Sequence, residues 1–198
     1  METLLAFKVK GGVLCLADSS VNHSIVKMKD DEDKILEIDG HKLLLSAGEA
    51  GDRVQFTEYI SKNIKLYSLR NSYPMSTPAA ANFIRNELAT SIRSHPYSIN
   101  LILAGYDKEV EDGGTSLYYM DYLGSLQKLN FGCHGYASYF LLGLLDRHHK
   151  CDLSLEDGIN LMHLCTTELK TRFLVSGKYT LKFVSSEGIK VLPFNAPQ

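Results

Sequence analysis

Thr3 stands behind Met1 and Glu2 at the start of the chain. A threonine with a free α-amine carries two parts of a hydrolase. Its hydroxyl is the nucleophile, and its amine, titrating at roughly 7.7–8.0, is the base. A threonine acylated by a preceding residue has lost that base. Three other groupings could do chemistry. Cys133 and His134 suggest a nucleophile beside a base, but sequence neighbours rarely face each other, and nothing nearby orients the histidine. His148, His149 and Cys151 offer zinc-ligand types, but a fourth ligand is missing, and histidines at a helix end also suit its dipole. Gly48 and Gly51 flank Glu49 and could cradle an anion, yet two glycines without the P-loop pattern read more simply as a tight strand-to-helix crossing.

The bulk numbers narrow the class. With 198 residues, one domain over 1–198 is expected, large enough to bury about 70% of its unfolded surface. The 21 basic and 23 acidic side chains leave a net charge of −2, which gives no reason to expect nucleic acid or an anionic membrane as partner. The scattered cysteines, Cys15, Cys133, Cys151 and Cys165, contain no CxxC and suit a reduced compartment. Glu2, Lys8 and Lys10 crowd the start with no long apolar run behind them, so no signal peptide is expected. The longest apolar stretch, Phe140 to Leu145, is far short of a membrane span.

The surrounding elements are legible in outline. LLAFKV and VLCLA flank Gly11-Gly12, a hairpin signal, and KILEI and HKLLLSAG flank Asp39-Gly40 in the same way. The block KDDEDK, Lys29 to Lys34, reads as a solvated loop, though a charged loop could also pair with a neighbour. From Gly51 the pattern turns helical, with Phe56, Ile60, Ile64 and Tyr67 on one face. Ser76-Thr77-Pro78 opens a second helix, with the stripe Ala80, Phe83, Ile84, Leu88 and Ile92 before Pro96. SINLILAGYD reads as a strand buried on both faces. EVEDGGTS is a loop, and SLYYMDYLGSLQKL gives two short strands whose Tyr118, Tyr119, Met120 and Tyr122 suit core or interface. Helical texture returns from His134 to His149, and Ser154 with Asp157 opens a last helix carrying Ile159, Met162, Thr166, Leu169 and Phe173. KYTLKFV closes as a strand. Two strand sets and two helix pairs predict an α+β fold, a four-layer αββα sandwich with the sheets inside.

Several stretches together resemble a proteasome β subunit of the N-terminal-nucleophile hydrolase superfamily. They are TLLAFKVKGGVLCLADS, KILEI, LLLSAGEAGD, NLILAGYD, LYYMDYLGSL and GLLDRHH. The likeness runs from Thr3 to about Val184. GEAGD, NLILAGYD and YYMDYLGSL resemble one branch, that of the β4 position, also called beta type-2. The resemblance implies the same four-layer sandwich.

The resemblance also implies where catalytic groups would fall. The nucleophile position is Glu2, the first-hairpin aspartate is Asp18 and the catalytic lysine is Lys34. The serine after the third strand set falls on Tyr136, the late aspartate on Phe173 and its companion serine on Ser176. Asp18, Lys34 and Ser176 match the family, while Glu2, Tyr136 and Phe173 do not. Glu2 has no hydroxyl to deprotonate and follows Met1 with no glycine before a threonine. Phe173 cannot orient an amine, and Tyr136 is expected to intrude on the cleft. Asp18 and Lys34 are then a buried structural pair. Thr3 is expected as the second residue of the first strand, one position out of register, so its hydroxyl would point away.

The implied role is a non-catalytic structural β subunit of the 20S proteasome core particle, in ubiquitin- and ATP-dependent protein degradation in cytoplasm and nucleus. The implied partners are the neighbouring β3 and β5 subunits, the fifth being catalytic, together with α-ring subunits and the opposing β ring. Seven unlike chains closing a ring need pairwise-specific contacts. No cofactor or metal is expected. Two alternatives stand beside this reading: a weakly active threonine peptidase after trimming to Thr3, and a stand-alone α/β binding protein.

Overall fold

The computed structural model describes residues 2–23, 26–108, 114–150, 152–173 and 177–195. The first hairpin pairs β1 (Leu4–Val9) with β2 (Gly12–Asp18). Val9 pairs with Gly12, so the two-residue loop is Lys10-Gly11 rather than Gly11-Gly12, and Gly11 takes the positive φ of 82°. A short pair, β3 (Val21–His23) and β4 (Val26–Lys29), follows. Next come β5 (Ile35–Asp39) and β6 (Lys42–Gly48), then the helices α1 (Ala50–Asn71) and α2 (Thr77–Ser91). Ser76 caps α2 by accepting from the Ala79 N–H, with proline in the first turn. β7 (Ile99–Tyr106), β8 (Thr115–Met120), β9 (Leu126–Lys128) and β10 (Phe131–His134) precede α3 (Ser138–His148). In α4 (Leu155–Arg172), Ser154 Oγ accepts from the Asp157 N–H at 3.1 Å and donates to its carboxylate at 2.7 Å. The chain closes with β11 (Tyr179–Ser185) and β12 (Gly188–Leu192).

Two five-stranded sheets result, ordered β10-β1-β2-β11-β12 and β5-β6-β7-β8-β9, with antiparallel pairing throughout. Strand alternation divides the core into three. Leu5, Phe7, Leu14 and Leu16 pack under Leu141, Leu145, Met162 and Leu169 of α3 and α4. Leu44, Leu101 and Leu103 pack under Phe56, Ile60, Ile84 and Leu88 of α1 and α2. Leu4, Ala6, Val13, Leu43, Leu45 and Ile102 fill the space between the sheets. This is the expected four-layer sandwich, because each inner strand presents apolar side chains on both faces.

Several elements depart from the expectation. His134 ends β10 and is not part of a helix, and α3 begins only at Ser138. Thr3 precedes β1, though its backbone still pairs: its carbonyl accepts from the Asp18 N–H at 3.1 Å. β3, β4, β10 and β12 are additional to the strands expected. Ile92 caps α2 instead of continuing its stripe. The expected loop EVEDGGTS falls partly on residues 109–113, outside the described residues.

Candidate functional site

The end of β2, the start of the chain and the end of β6 meet around one lysine. Lys34 is wholly buried and its ammonium has three oxygens around it, two of them hydrogen-bonded and the third an ion-pair partner. These are Asp18 Oδ2 at 3.0 Å, Glu2 Oε1 at 3.0 Å and the Ser20 carbonyl at 2.8 Å. Lys34 is anchored in turn to the second sheet, because its carbonyl accepts from the Ser46 N–H of β6 at 3.1 Å. The charged pairing explains how a lysine can be buried here at all.

Asp18 uses both oxygens. Its Oδ1 accepts from the Thr3 N–H at 2.7 Å while Oδ2 holds Lys34. One ammonium thus sits between two carboxylates. Burial holds the Asp18 carboxyl above its ordinary value; Lys34 and the Thr3 N–H pull it down, and Glu2 pushes it up.

Glu2 reaches further. Its second oxygen, Oε2, accepts from the Gly48 N–H. Gly48 is held there by geometry that excludes any other residue: its φ is 139°, and a Cβ would lie 2.1 Å from the Ser98 carbonyl oxygen. On the other side Gly135, with φ of 83°, packs on the Glu2 backbone so closely that a Cβ would lie 1.9 Å from the Glu2 carbonyl oxygen. Glu2, the position that the resemblance assigned to an attacking hydroxyl, carries an anion clamped between a buried cation and a backbone N–H. Such an arrangement binds negative charge.

The structure brings together Glu2, Asp18 and Lys34 of the six positions the resemblance implied. Tyr136 follows Gly135 directly, but its side chain is 62% exposed and its ring lies tilted against Tyr139. The group between Lys34 and Gly48 is the Glu2 carboxylate, not the Tyr136 ring. Phe173 caps α4 and packs on the outer core, edge-on to Phe140 at 5.7 Å between centroids. Ser176 lies outside the described residues. Gly48, which the sequence offered with Gly51 as a possible anion cradle but which reads more simply as a strand-to-helix crossing, does meet an anion: its backbone N–H donates to the Glu2 carboxylate.

The other candidate groupings resolve into structure. The Cys133 thiol sits in the core under α3 and α4, where burial raises its pKa, and it approaches the His134 carbonyl rather than the imidazole. His134 faces the opposite way, stacked on Tyr119 at 4.0 Å with Nε2 3.0 Å from the Leu101 carbonyl. His149 Nε2 is bonded to the Lys8 carbonyl at 2.8 Å and its ring lies edge-on to Phe7 and Phe131, while Cys151 lies outside the described residues. The acidic block is not simply solvated. Glu32 pairs with buried Arg53 at 3.0 Å, and Asp33 with buried Lys182 at 2.8 Å. Among the described residues no helix is long and apolar enough to cross a membrane.

Comparison with known proteins places this geometry. The proteasome subunit family model matches residues 1–181. The chain is 47% identical to proteasome subunit beta type-2-B of Arabidopsis thaliana over 191 residues, 96% of this chain and 94% of that protein. It is 41% identical to proteasome subunit beta type-4 of Saccharomyces cerevisiae over 192 residues, 96% of each. It is also 39% identical to proteasome subunit beta type-2 of Trypanosoma brucei brucei over 198 residues. With its two inner sheets, outer helix pairs and full-length likeness to β subunits, the chain belongs to the proteasome subunit family.

Proposed function

We propose that this chain is a non-catalytic β subunit of the β4 position, which helps to build the 20S core and has no peptidase activity of its own. The observation that carries this reading is the Glu2 carboxylate, ion-paired with Lys34 and at the same time accepting from the Gly48 N–H. A threonine hydrolase needs an uncommitted cation beside a hydroxyl and an open N–H donor for the oxyanion. Here both are taken by an acid with no hydroxyl. Trimming to Thr3 is a poor route around this, because Thr3 is 5% exposed and its nitrogen is already bonded to Asp18.

The role is then geometric. The subunit fills one wedge of a β ring beside the β3 and β5 positions, touching α-ring subunits and the opposing ring, in the cytoplasm and nucleus. Large apolar side chains left in solvent suit such burial: Tyr139 is 81% exposed, Leu69 72% and Met28 69%. The test is the mass of the chain released from its native particle after treatment with a threonine-directed epoxyketone. An unlabelled chain recovered only from a particle of hundreds of kilodaltons is expected. A chain beginning at Thr3 and carrying the adduct would overturn the reading in favour of a peptidase, and recovery as a free 22.1 kDa monomer would favour a stand-alone protein.

A further inference from the structure

We propose that Lys34 Nζ and the Gly48 N–H form a carboxylate-binding site, which Glu2 fills from within the chain and which accepts an acetate-sized carboxylate once that side chain is removed. The inference deepens the reading above and rests on the same clamp, but it concerns what the cleft binds.

The site is built on parts that cannot easily move. Lys34 is fixed by hydrogen bonds to Asp18 and the Ser20 carbonyl, so its charge stays 3.0 Å from where the Glu2 carboxylate lies when the glutamate is shortened. Gly48 is fixed by its φ of 139° and by the Ser98 carbonyl behind it, which leaves its N–H directed at the same carboxylate. Gly135 packs on the Glu2 carbonyl and holds the backbone from which the side chain springs. The cation and the N–H meet different oxygens, Lys34 pairing with Oε1 and Gly48 donating to Oε2, so charge and hydrogen bond together suit a carboxylate. The Glu2 side chain is 29% exposed, so the site has a path to water.

The chemistry also sets the size of ligand. Glu2→Ala deletes the Cγ methylene and the carboxylate, which together are an acetate. It leaves a buried charged donor and a backbone N–H without their acceptor, a costly state that a matching anion relieves. Formate underfills the space, and butyrate overfills it against the retained Cβ.

The test uses the full chain in three forms: wild type, Glu2→Ala, and Glu2→Ala with Lys34→Met. Acetate is titrated against chloride at constant ionic strength, following the Gly48 amide resonance and the melting temperature. In Glu2→Ala the Gly48 resonance should move saturably at roughly millimolar acetate, and the melting temperature should rise. Formate and butyrate should act more weakly. The wild type and the double variant should not respond. Equal responses in wild type and Glu2→Ala, or none in Glu2→Ala, would overturn the assignment. Should Glu2→Ala not fold, Glu2→Gln keeps the side-chain volume, and its Gly48 amide must move upfield as the charged acceptor is lost; an unmoved resonance overturns the assignment alone. These results are independent of epoxyketone labelling, so either reading can fail while the other stands.

Discussion

Asp18 and Lys34 meet at 3.0 Å with the lysine side chain wholly buried, and neither is left with an unused polar atom. The pair ties the end of β2 to the segment entering β5, and so links the two sheets. Removing the cation would leave the Asp18 and Glu2 carboxylates facing each other in a poorly hydrated space. Lys34→Met should therefore cost about 3–5 kcal/mol of stability, read from urea or thermal unfolding. A loss below about 1 kcal/mol would mean that water replaces the ammonium.

Stability should also fall on mild acidification. Burial pushes the His134 imidazole down to about 4 from an ordinary 6.5, more than the backbone acceptors of Leu101 and Met120 raise it. Between these values the unfolded chain binds a proton that the folded chain does not. The His134 contribution is thus complete above about 6.5 and is lost as pH drops toward 4, by about 3 kcal/mol in all. Asp18 acts with the opposite sign: its raised carboxyl favours folding below its ordinary value of 3.8 and loses that advantage as pH rises through the folded value. His134→Gln should flatten the slope between pH 6.5 and 4. An unchanged slope would assign the acid sensitivity to other groups.

The three thiols among the described residues should be inert in the native chain. Cys15, Cys133 and Cys165 are free and buried, and desolvation raises all three, Cys165 to about 12. Mapping of sites modified by a thiol reagent should show these three reacting only at the rate of unfolding. Fast labelling of any of them at low denaturant would show that the layer between sheet and helices opens locally.

Gly135→Ala should be severe for a change of one methyl. The left-handed backbone costs an alanine about 1–2 kcal/mol, and the new carbon would collide with the Glu2 carbonyl 1.9 Å away. A loss of at least about 2 kcal/mol is expected, with Glu2 displaced from Lys34. A melting temperature within a degree or two of wild type would show that the first residues yield without effect.

The sequence made the large elements readable because their signals are local. The caps at Ser76 and Ser154 mark helix starts, and the stripe Phe56, Ile60 and Ile64 is buried as its spacing requires. Short strands gave no such signal: FGCH in β10 is four residues with a glycine, and its strand conformation follows from pairing with β1. The site was legible in part. The resemblance marked Glu2, Asp18 and Lys34, but KDDEDK looks solvated throughout, and nothing in its composition shows that its last lysine is the most buried cation of the cleft. The fate of Glu2 depended on Gly48, forty-six residues away and contributing only its backbone.

The position of β1 and β2 bears on how the chain can be made. This hairpin leaves the ribosome well before its two flanks, β10 and β11, at residues 131–134 and 179–185. At about 5–20 residues per second, roughly 10–30 s separate the emergence of β2 from that of β11. Through that interval the nascent hairpin has one or both outer rows of backbone N–H and C=O groups unmatched, above an apolar face still waiting for α3 and α4. Translation speed between β2 and β11 should therefore govern how much of this protein is lost to misassembly before the sheet closes.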